Sequence, residues 1–293
     1  MNKEYQLGSQ LDLEKINKKN FKSEFFGNWI KESHSELTNK FTNAEPFPHI
    51  VINNFFSDDT IKKIIEEFPD QNQPMWFLYY NPIEHKRAIN DISKIPPYIK
   101  ECIEMINHNE FINIMSKISG IDGLGADEFL HGGGLHSYPS NGKLNIHLDY
   151  SIHPLSGKER RLNLIIFVNN EWDNSWGGNL QLLDDPDNPQ KKVVIEPKFN
   201  SAVLFQTCDL SYHGLPDLIK CPKNLSRNSL AVYYVTEPRE NVVVRPKAKF
   251  YAEPCDKNNI RLKKLLEIRA QRRLTAQDLE EIYPDWEKDL YGV

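Results

Sequence analysis

The chain has 293 residues, 39% of them hydrophobic and 11% aromatic, which suits one large globular core, and no apolar run approaches the roughly 20 residues that a membrane span needs. A formal net charge of −5 argues against a protein-wide affinity for nucleic acid. Cys102, Cys208, Cys221 and Cys255 lack the short paired spacing of a zinc or redox motif, and Met1-Asn2-Lys3-Glu4-Tyr5-Gln6 lacks the basic-then-apolar pattern of a secretory signal, so free thiols in the cytoplasm are expected.

Residues 1–45 are polar, with Phe21, Phe25, Trp29 and Ile30 at helical spacing, and read as a helical extension packed outside the core. Pro46-Phe47-Pro48 ends any helix and leads into a β-branched run. Ser57 then offers an N-cap to a helix whose first turn holds Asp58 and Asp59 and whose stripe is Ile61, Ile64, Ile65 and Phe68. Met75 to Pro97 looks aromatic and then loop-like, and Pro97 to Ser119 is helical again. From Gly132 the period changes to two. Strands are expected near 134–139, 143–149, 161–168, 179–183, 192–196, 201–206, 211–214 and 228–235, separated by Gly, Asn, Asp and Pro turns, as in an antiparallel jelly roll. After Pro246 two helices follow, the second opened by a capping box at Thr275-Ala276-Gln277-Asp278. The resulting division is 1–45, a domain over 46–245 with its core at about 130–240, and a C-terminal extension over 246–293 packing on that core.

The strand Lys143-Leu144-Asn145-Ile146-His147-Leu148-Asp149 carries the chemistry. Strict alternation puts Asn145, His147 and Asp149 on one face, so the imidazole and the carboxylate converge. His213 is the best third ligand, and two imidazoles with one carboxylate leave positions open on a metal, as non-haem Fe(II) oxygenases require. The competing reading is a hydrogen-bonded pair at a sheet edge. His108-Asn109-Glu110 lies in a helical pattern, where positions two apart diverge, and reads as solvated surface. Arg227, Ser229, Ala231 and Tyr233 share a strand face; an inward guanidinium calls for an anion, either a carboxylate ligand or one of the chain's own acids.

These residues resemble the Fe(II)- and 2-oxoglutarate-dependent dioxygenases, in particular the prolyl 4-hydroxylase-like branch. The resemblance is carried by the entry Pro46-Phe47-Pro48-His49-Ile50-Val51-Ile52-Asn53-Asn54-Phe55-Phe56, by His147-Leu148-Asp149, by the strand Arg161 to Asn169, by Trp176-Gly177-Gly178-Asn179-Leu180, by His213-Gly214 and by Arg227-Asn228-Ser229. It implies an α+β protein with a double-stranded β-helix (jelly-roll) core flanked by N-terminal and C-terminal helices. It further implies His147, Asp149 and His213 as iron ligands and catalytic centre, and Arg227 as the anchor of the 2-oxoglutarate 5-carboxylate, helped by Tyr138 and followed by Ser229. Many collagen-type relatives use lysine where Arg227 stands, so the likeness is to an arginine-anchored subgroup. Asn145 shares the ligand face and has two readings, a contact with the cosubstrate or a ligand and the filling of a polar gap. His136, Arg161 and Trp176 are candidates for contact with substrate; the competing readings are support of the site for His136, pairing with an acid near the sheet edge for Arg161, which is the preferred one, and turn packing with Trp172 for Trp176, also preferred.

The implied reaction couples oxidative decarboxylation of 2-oxoglutarate by dioxygen to C–H hydroxylation, with ascorbate as a stimulant. A prolyl residue of a protein or peptide is the leading substrate. A free amino acid or other small biosynthetic intermediate is the first alternative, and a non-catalytic jelly-roll binding module the second. The basic run Arg261, Lys263, Lys264, Arg269, Arg272 and Arg273 reads as a solvated helix face, with nucleic acid, an acidic partner or a homodimer contact as the other readings.

Overall fold

A computed structural model describes residues 9–292; the opening stretch Met1 to Gly8, read above for targeting, lies outside the described residues. Among the described residues no helix is long and apolar enough to cross a membrane.

The N-terminal part comprises α1 (Leu13–Lys18) and α2 (His34–Thr42). Between them the Phe21 to Ile30 stripe is not one helix but two single-turn 3-10 segments, Ser23–Phe25 and Asn28–Lys31. Tertiary contacts override the helical spacing there: Trp29 Nε1 and the Gly27 N–H both donate to the Phe55 carbonyl, at 2.7 and 2.9 Å. Gly27 is required because a Cβ would lie 1.9 Å from the Asn54 carbonyl oxygen. Phe26, Trp29, Phe55, Phe56 and Phe111 stack around this junction.

Next come β1 (His49–Ile52) and α3 (Asp58–Glu67). Ser57 sits at the N-cap, but its hydroxyl bonds Thr60 Oγ1 at 3.0 Å instead of a backbone N–H, so the two aspartates carry the helix start. The stretch expected to be loop-like is a hairpin, β2 (Phe77–Tyr80) and β3 (Glu84–Ile89), which joins the main sheet. The following helical pattern divides into α4 (Pro97–Ile106) and α5 (Asn109–Ser119). At the break His108 is buried, not solvated: its Nδ1 accepts from the Glu110 N–H and its Nε2 meets the Lys19 carbonyl.

The core follows with β4 (Gly125–Ala126), β5 (Gly134–Pro139), β6 (Lys143–Leu148), β7 (Glu159–Phe167), β8 (Leu180–Leu183), β9 (Val193–Ile195), β10 (Ala202–Gln206), β11 (Tyr212–Leu215) and β12 (Ser226–Thr236). All eight expected strands form. The sheet is antiparallel and curled, in the order β1-β10-β7-β12-β5-β3-β6-β11-β8-β9, as in a double-stranded β-helix. The hairpin strand β3 bridges its two arms, pairing with β5 on one edge and β6 on the other. A short β13 (Lys249–Phe250) also lies on β6. Helices α6 (Ile260–Arg269), α7 (Ala276–Ile282) and α8 (Trp286–Tyr291) close the chain, and Thr275 with Asp278 forms the expected capping box.

Two apolar clusters flank the sheet. One buries the N-terminal helices against Leu162, Leu164, Ile166, Leu230, Val232 and Tyr234. The other fills the curl with Tyr138, Phe167, Leu180, Phe205 and Leu215, and continues through Phe250 to Leu262, Leu265 and Trp286 of the C-terminal helices. The C-terminal extension therefore packs at the concave side.

Candidate metal and cosubstrate site

Pairing of β6 with β11 sets His147 directly opposite His213, their ring centroids 4.3 Å apart. Asp149 follows β6, with Oδ1 3.7 Å from His147 Nε2 and Oδ2 3.7 Å from His213 Nε2. One ligand atom from each of the three falls within 4.8 Å of the others, and all three residues are buried. His147 Nδ1 lies 3.0 Å from the Asn145 carbonyl and His213 Nδ1 2.9 Å from the Ser211 carbonyl. A carbonyl only accepts, so each Nδ1 carries the proton and each Nε2 lone pair is turned to the common point. Burial, aided by His213, pushes the His147 pKa down to about 3, which keeps the ring neutral. Burial alone would raise the Asp149 carboxyl; His213, the Arg160 guanidinium and His147 more than offset it, so the carboxylate is held below its usual range.

Across the cavity, β12 pairs with β5 so that Arg227 opposes Tyr138. Arg227 is 1% exposed, and its guanidinium lies 4.7 Å from the Phe167 ring and 5.3 Å from the Tyr138 ring. Nε donates to the Gly178 carbonyl at 2.9 Å, while Nη2 has no partner. Burial lowers the Arg227 pKa to about 10, and the group still stays charged near neutrality. Ser229 Oγ, on the same strand face, is also buried without a partner. Gly178 makes the approach of its carbonyl possible: its φ is +76°, and a Cβ would meet Arg227 Cδ at 3.4 Å and Trp172 Cζ2 at 3.3 Å. A buried guanidinium edge and a hydroxyl, both unsatisfied, fit a carboxylate.

The cavity between these walls measures about 750 Å³ and is lined by His136, Tyr138, His147, Asp149, His213, Arg227, Ser229 and Tyr233, among others. His136 is buried there, and burial together with Lys86 and Arg227 drives its pKa well below the ordinary value. Three of the candidate residues do not line the cavity. Asn145 does not line the cavity, because β6 carries a bulge: His213 opposes His147 but Leu215 opposes Leu144, so three steps on one strand meet two on the other. Beyond that point the alternation flips, Leu144 faces inward, and Asn145 Nδ2 donates instead to the Tyr251 carbonyl at 3.1 Å. A second bulge lies on β7, where Tyr234 opposes Leu162 and Val235 opposes Arg160. Arg161 is the extra residue; it points away, with Nε 3.9 Å from Glu159 and Nη1 donating to Thr236. Trp176 packs edge-on against Trp172 in a 3-10 turn and leaves the cavity to others.

The same parity break hides Arg160 from strict alternation. Its guanidinium is sandwiched between the Tyr233 and Tyr150 rings, 3.2 and 3.6 Å from their centroids, and Nη1 lies 3.6 Å from Asp149 Oδ1. It also donates to the Tyr150 hydroxyl and to the His131 carbonyl. Arg160 is thus a positioning residue for the Asp149 carboxylate. The hairpin residues Glu84 and Lys86 and the C-terminal Arg269, Arg272 and Arg273 also line the cavity. No pattern within either segment shows that the two meet.

A curled antiparallel barrel holding two imidazoles and a carboxylate on one wall, and a buried arginine with an unpartnered Nη2 on the other, fits a metal ion and a carboxylate ligand side by side. Comparison with known proteins agrees. Residues 133–235 match the family described as the 2OG-Fe(II) oxygenase superfamily. Over 195 residues it is 25% identical to prolyl 3-hydroxylase OGFOD1 of Mus musculus, which covers 65% of this chain and 33% of that protein, so the chain spans about a third of that relative's length. A prolyl hydroxylase from Trichoplax adhaerens, solved in complex with a hypoxia inducible factor oxygen degradation domain peptide fragment, superposes with a TM-score of 0.52 at 17% identity, covering 73% of this chain and 96% of that one. A prolyl 4-hydroxylase from Pseudomonas putida gives a TM-score of 0.48 at 14% identity, covering 70% of this chain and all of that one (100%).

Proposed function

We propose that the chain is a non-haem iron dioxygenase that uses 2-oxoglutarate and dioxygen to hydroxylate a prolyl residue of a peptide or protein. The observation that carries this reading is the pairing of one His-Asp-His cluster with one buried arginine whose Nη2 has no partner, across a single cavity. His147, Asp149 and His213 would hold Fe(II) through Nε2, a carboxylate oxygen and Nε2. Arg227 Nη2 and Ser229 Oγ, beside Tyr138, would take the cosubstrate's distal carboxylate. Iron and cosubstrate together supply the chemistry that activates dioxygen and inserts one oxygen atom into a C–H bond as 2-oxoglutarate becomes succinate and carbon dioxide.

This chain's residues provide the setting. The Asn145 and Ser211 carbonyls fix both imidazole tautomers, and Arg160 steadies the Asp149 oxygen turned toward it. Phe167, Tyr138 and Leu180 keep the inner wall apolar, which limits water around an oxidising centre. The preference for prolyl over other substrates rests on likeness to prolyl hydroxylases. The four unpaired cysteines support a reducing compartment, the cytoplasm.

Purified protein supplied with Fe(II), ascorbate and 2-oxoglutarate is expected to form succinate slowly without added substrate. His147→Ala should reduce this to background, because removing one imidazole leaves two ligands. Prolyl peptides should then gain the mass of one oxygen. Succinate no higher in the parent protein than in His147→Ala would end the enzyme reading.

A further inference from the structure

The cavity is far more basic than the chain that builds it. Its lining holds seven cationic side chains, Lys86, Arg160, Arg227, Lys247, Arg269, Arg272 and Arg273, against two carboxylates, Glu84 and Asp149, a formal +5 inside a protein of net −5. Most of these cations have an assigned anion. Arg160 faces Asp149, Arg269 bonds Glu84 at 2.8 Å, Arg272 is held in two hydrogen bonds by Asp278, and Arg227 is committed to the cosubstrate on the reading above. Bound iron and 2-oxoglutarate carry opposite double charges and leave the excess in place.

Of the other three, Arg273 donates to the Tyr79 hydroxyl at 3.0 Å, while Lys86 and Lys247 make no salt bridge among the described residues; the nearby Glu84 carboxylate acts on Lys86 only at a distance, because its hydrogen bond goes to Arg269. Lys86 lies on β3 between Glu84 and Ala88, which share its inward face and pair with Leu144 and His136. Its ammonium meets the face of Tyr79 at 5.3 Å and forms no hydrogen bond or ion pair among the described residues. Lys247, before β13, lines the same cavity and likewise has no ion pair among the described residues. An ammonium withdrawn from bulk water into a low-dielectric cleft is costly unless an anion joins it, and clustered charge of one sign raises the local concentration of the opposite sign.

We propose, building on the oxygenase reading, that the substrate carries a carboxylate close to the carbon that is hydroxylated, and that Lys86 is the residue that binds it, with Lys247 at the rim. A carboxylate of this kind has two sources: the α-carboxylate of a free amino acid such as proline, or an acidic side chain beside the target residue of a peptide. Lys86 is then a specificity-determining residue, separate from the anchor at Arg227.

Calorimetry on the protein loaded with Zn(II) and 2-oxoglutarate, which does not turn over, tests this with matched probes. The pairs are L-proline against L-prolinamide, and acetyl-Asp-Pro-Asp-amide against acetyl-Asn-Pro-Asn-amide. One acid is expected to bind about tenfold or more tightly than its amide, as a charge-assisted hydrogen bond implies, with an advantage that shrinks at high salt. The pair showing the preference identifies the source. Lys86→Met, similar in length and uncharged, should bring the ratio to within about twofold, and Lys86→Arg should retain it. Thermal melts of both variants confirm folding. The inference is overturned if neither acid binds better than its amide, if the preference survives Lys86→Met, or if Lys86→Met raises the KM for 2-oxoglutarate as much as Arg227→Met does. Binding is read without turnover, so this failure and a failure of the succinate assay are separate results.

Discussion

Two parts of the cavity wall are assembled by different means: the strands that carry both the metal cluster and Arg227, termed the floor, and the junction of the hairpin with α6, termed the mouth. At the floor, His147 and His213 sit on adjacent strands and each imidazole is fixed by a carbonyl two residues away in its own strand region. Arg227 is similarly set by strand pairing and by the turn carbonyl of Gly178. At the mouth, the groups come from residues as far apart as Glu84 on the hairpin and Arg269 on α6, and what joins them is a buried ion pair at 2.8 Å with Arg269 also lying over the Phe250 ring. The floor is thus preorganised by backbone, and the mouth is held by side chains. On the proposed function, the invariant chemistry would occupy the first and substrate recognition the second.

The largest expected effect tests the fastening of the mouth. Arg269→Leu leaves Glu84, 2% exposed, as a buried carboxylate without its partner, and should destabilise the fold by about 3–5 kcal/mol. Burial alone would raise the Glu84 pKa, but Arg269 and Lys86 outweigh it and the folded value is depressed. Stability from a depressed carboxylate is present above the unfolded pKa of about 4.3 and is lost as pH falls through the folded value. In the variant, burial acts unopposed by Arg269 and favours the protonated acid. The difference in melting temperature between parent and variant should therefore be wide at pH 7 and shrink toward pH 4. A gap of constant width would mean that the ion pair does not hold the mouth.

Arg227→Met probes the floor and should act on the cosubstrate. A hydrogen bond to a charged group contributes about 1.5–3 kcal/mol, so the KM for 2-oxoglutarate in uncoupled turnover should rise by roughly 10- to 100-fold. Thermal stability should change little or rise, since the variant removes a buried cation whose Nη2 is unpartnered. A large loss of stability with an unchanged KM would reverse the contrast between floor and mouth.

Legibility in the sequence follows the same division. The strands, the jelly roll, His147, Asp149, His213 and Arg227 could be read because period-two alternation and turn residues are local signals. The cluster's convergence also needed no long-range information beyond strand pairing. The hairpin at Phe77 to Ile89 was opaque because its strands are short and its inward positions are Glu84 and Lys86, which look like surface. The basic C-terminal run was opaque for a related reason: Arg269 and Arg273 reach Glu84 and Tyr79 across the fold, and helical spacing alone makes them a solvated face. Trp176 packs on Trp172, as the preferred turn-packing reading had it, and its minority reading as a substrate contact finds no support in the cavity lining.

The inward readings of Asn145 and Arg161 fail for a single reason, a β-bulge at each, while their other readings, a polar gap and an acid at the sheet edge, agree with the bonds they make. Alternation counts one face per residue, and one inserted residue inverts every assignment beyond it. The neighbouring pair Arg160 and Arg161 provides the smallest and sharpest test. Arg161 is half-buried outside the cavity, bonded through Nη1 to Thr236 at 3.4 Å and 3.9 Å from Glu159, a carboxylate that Arg239 already holds at 2.6 Å. Arg161→Ala should therefore change stability by no more than about 1 kcal/mol and leave succinate formation within about twofold of the parent. Arg160→Lys, one position away, keeps the charge but loses the planar contact with Tyr150 and Tyr233 and the fork aimed at Asp149, and should weaken retention of the metal. If instead Arg161→Ala lost turnover and Arg160→Lys did not, uninterrupted alternation would be correct and the bulge on β7 would not be present in solution.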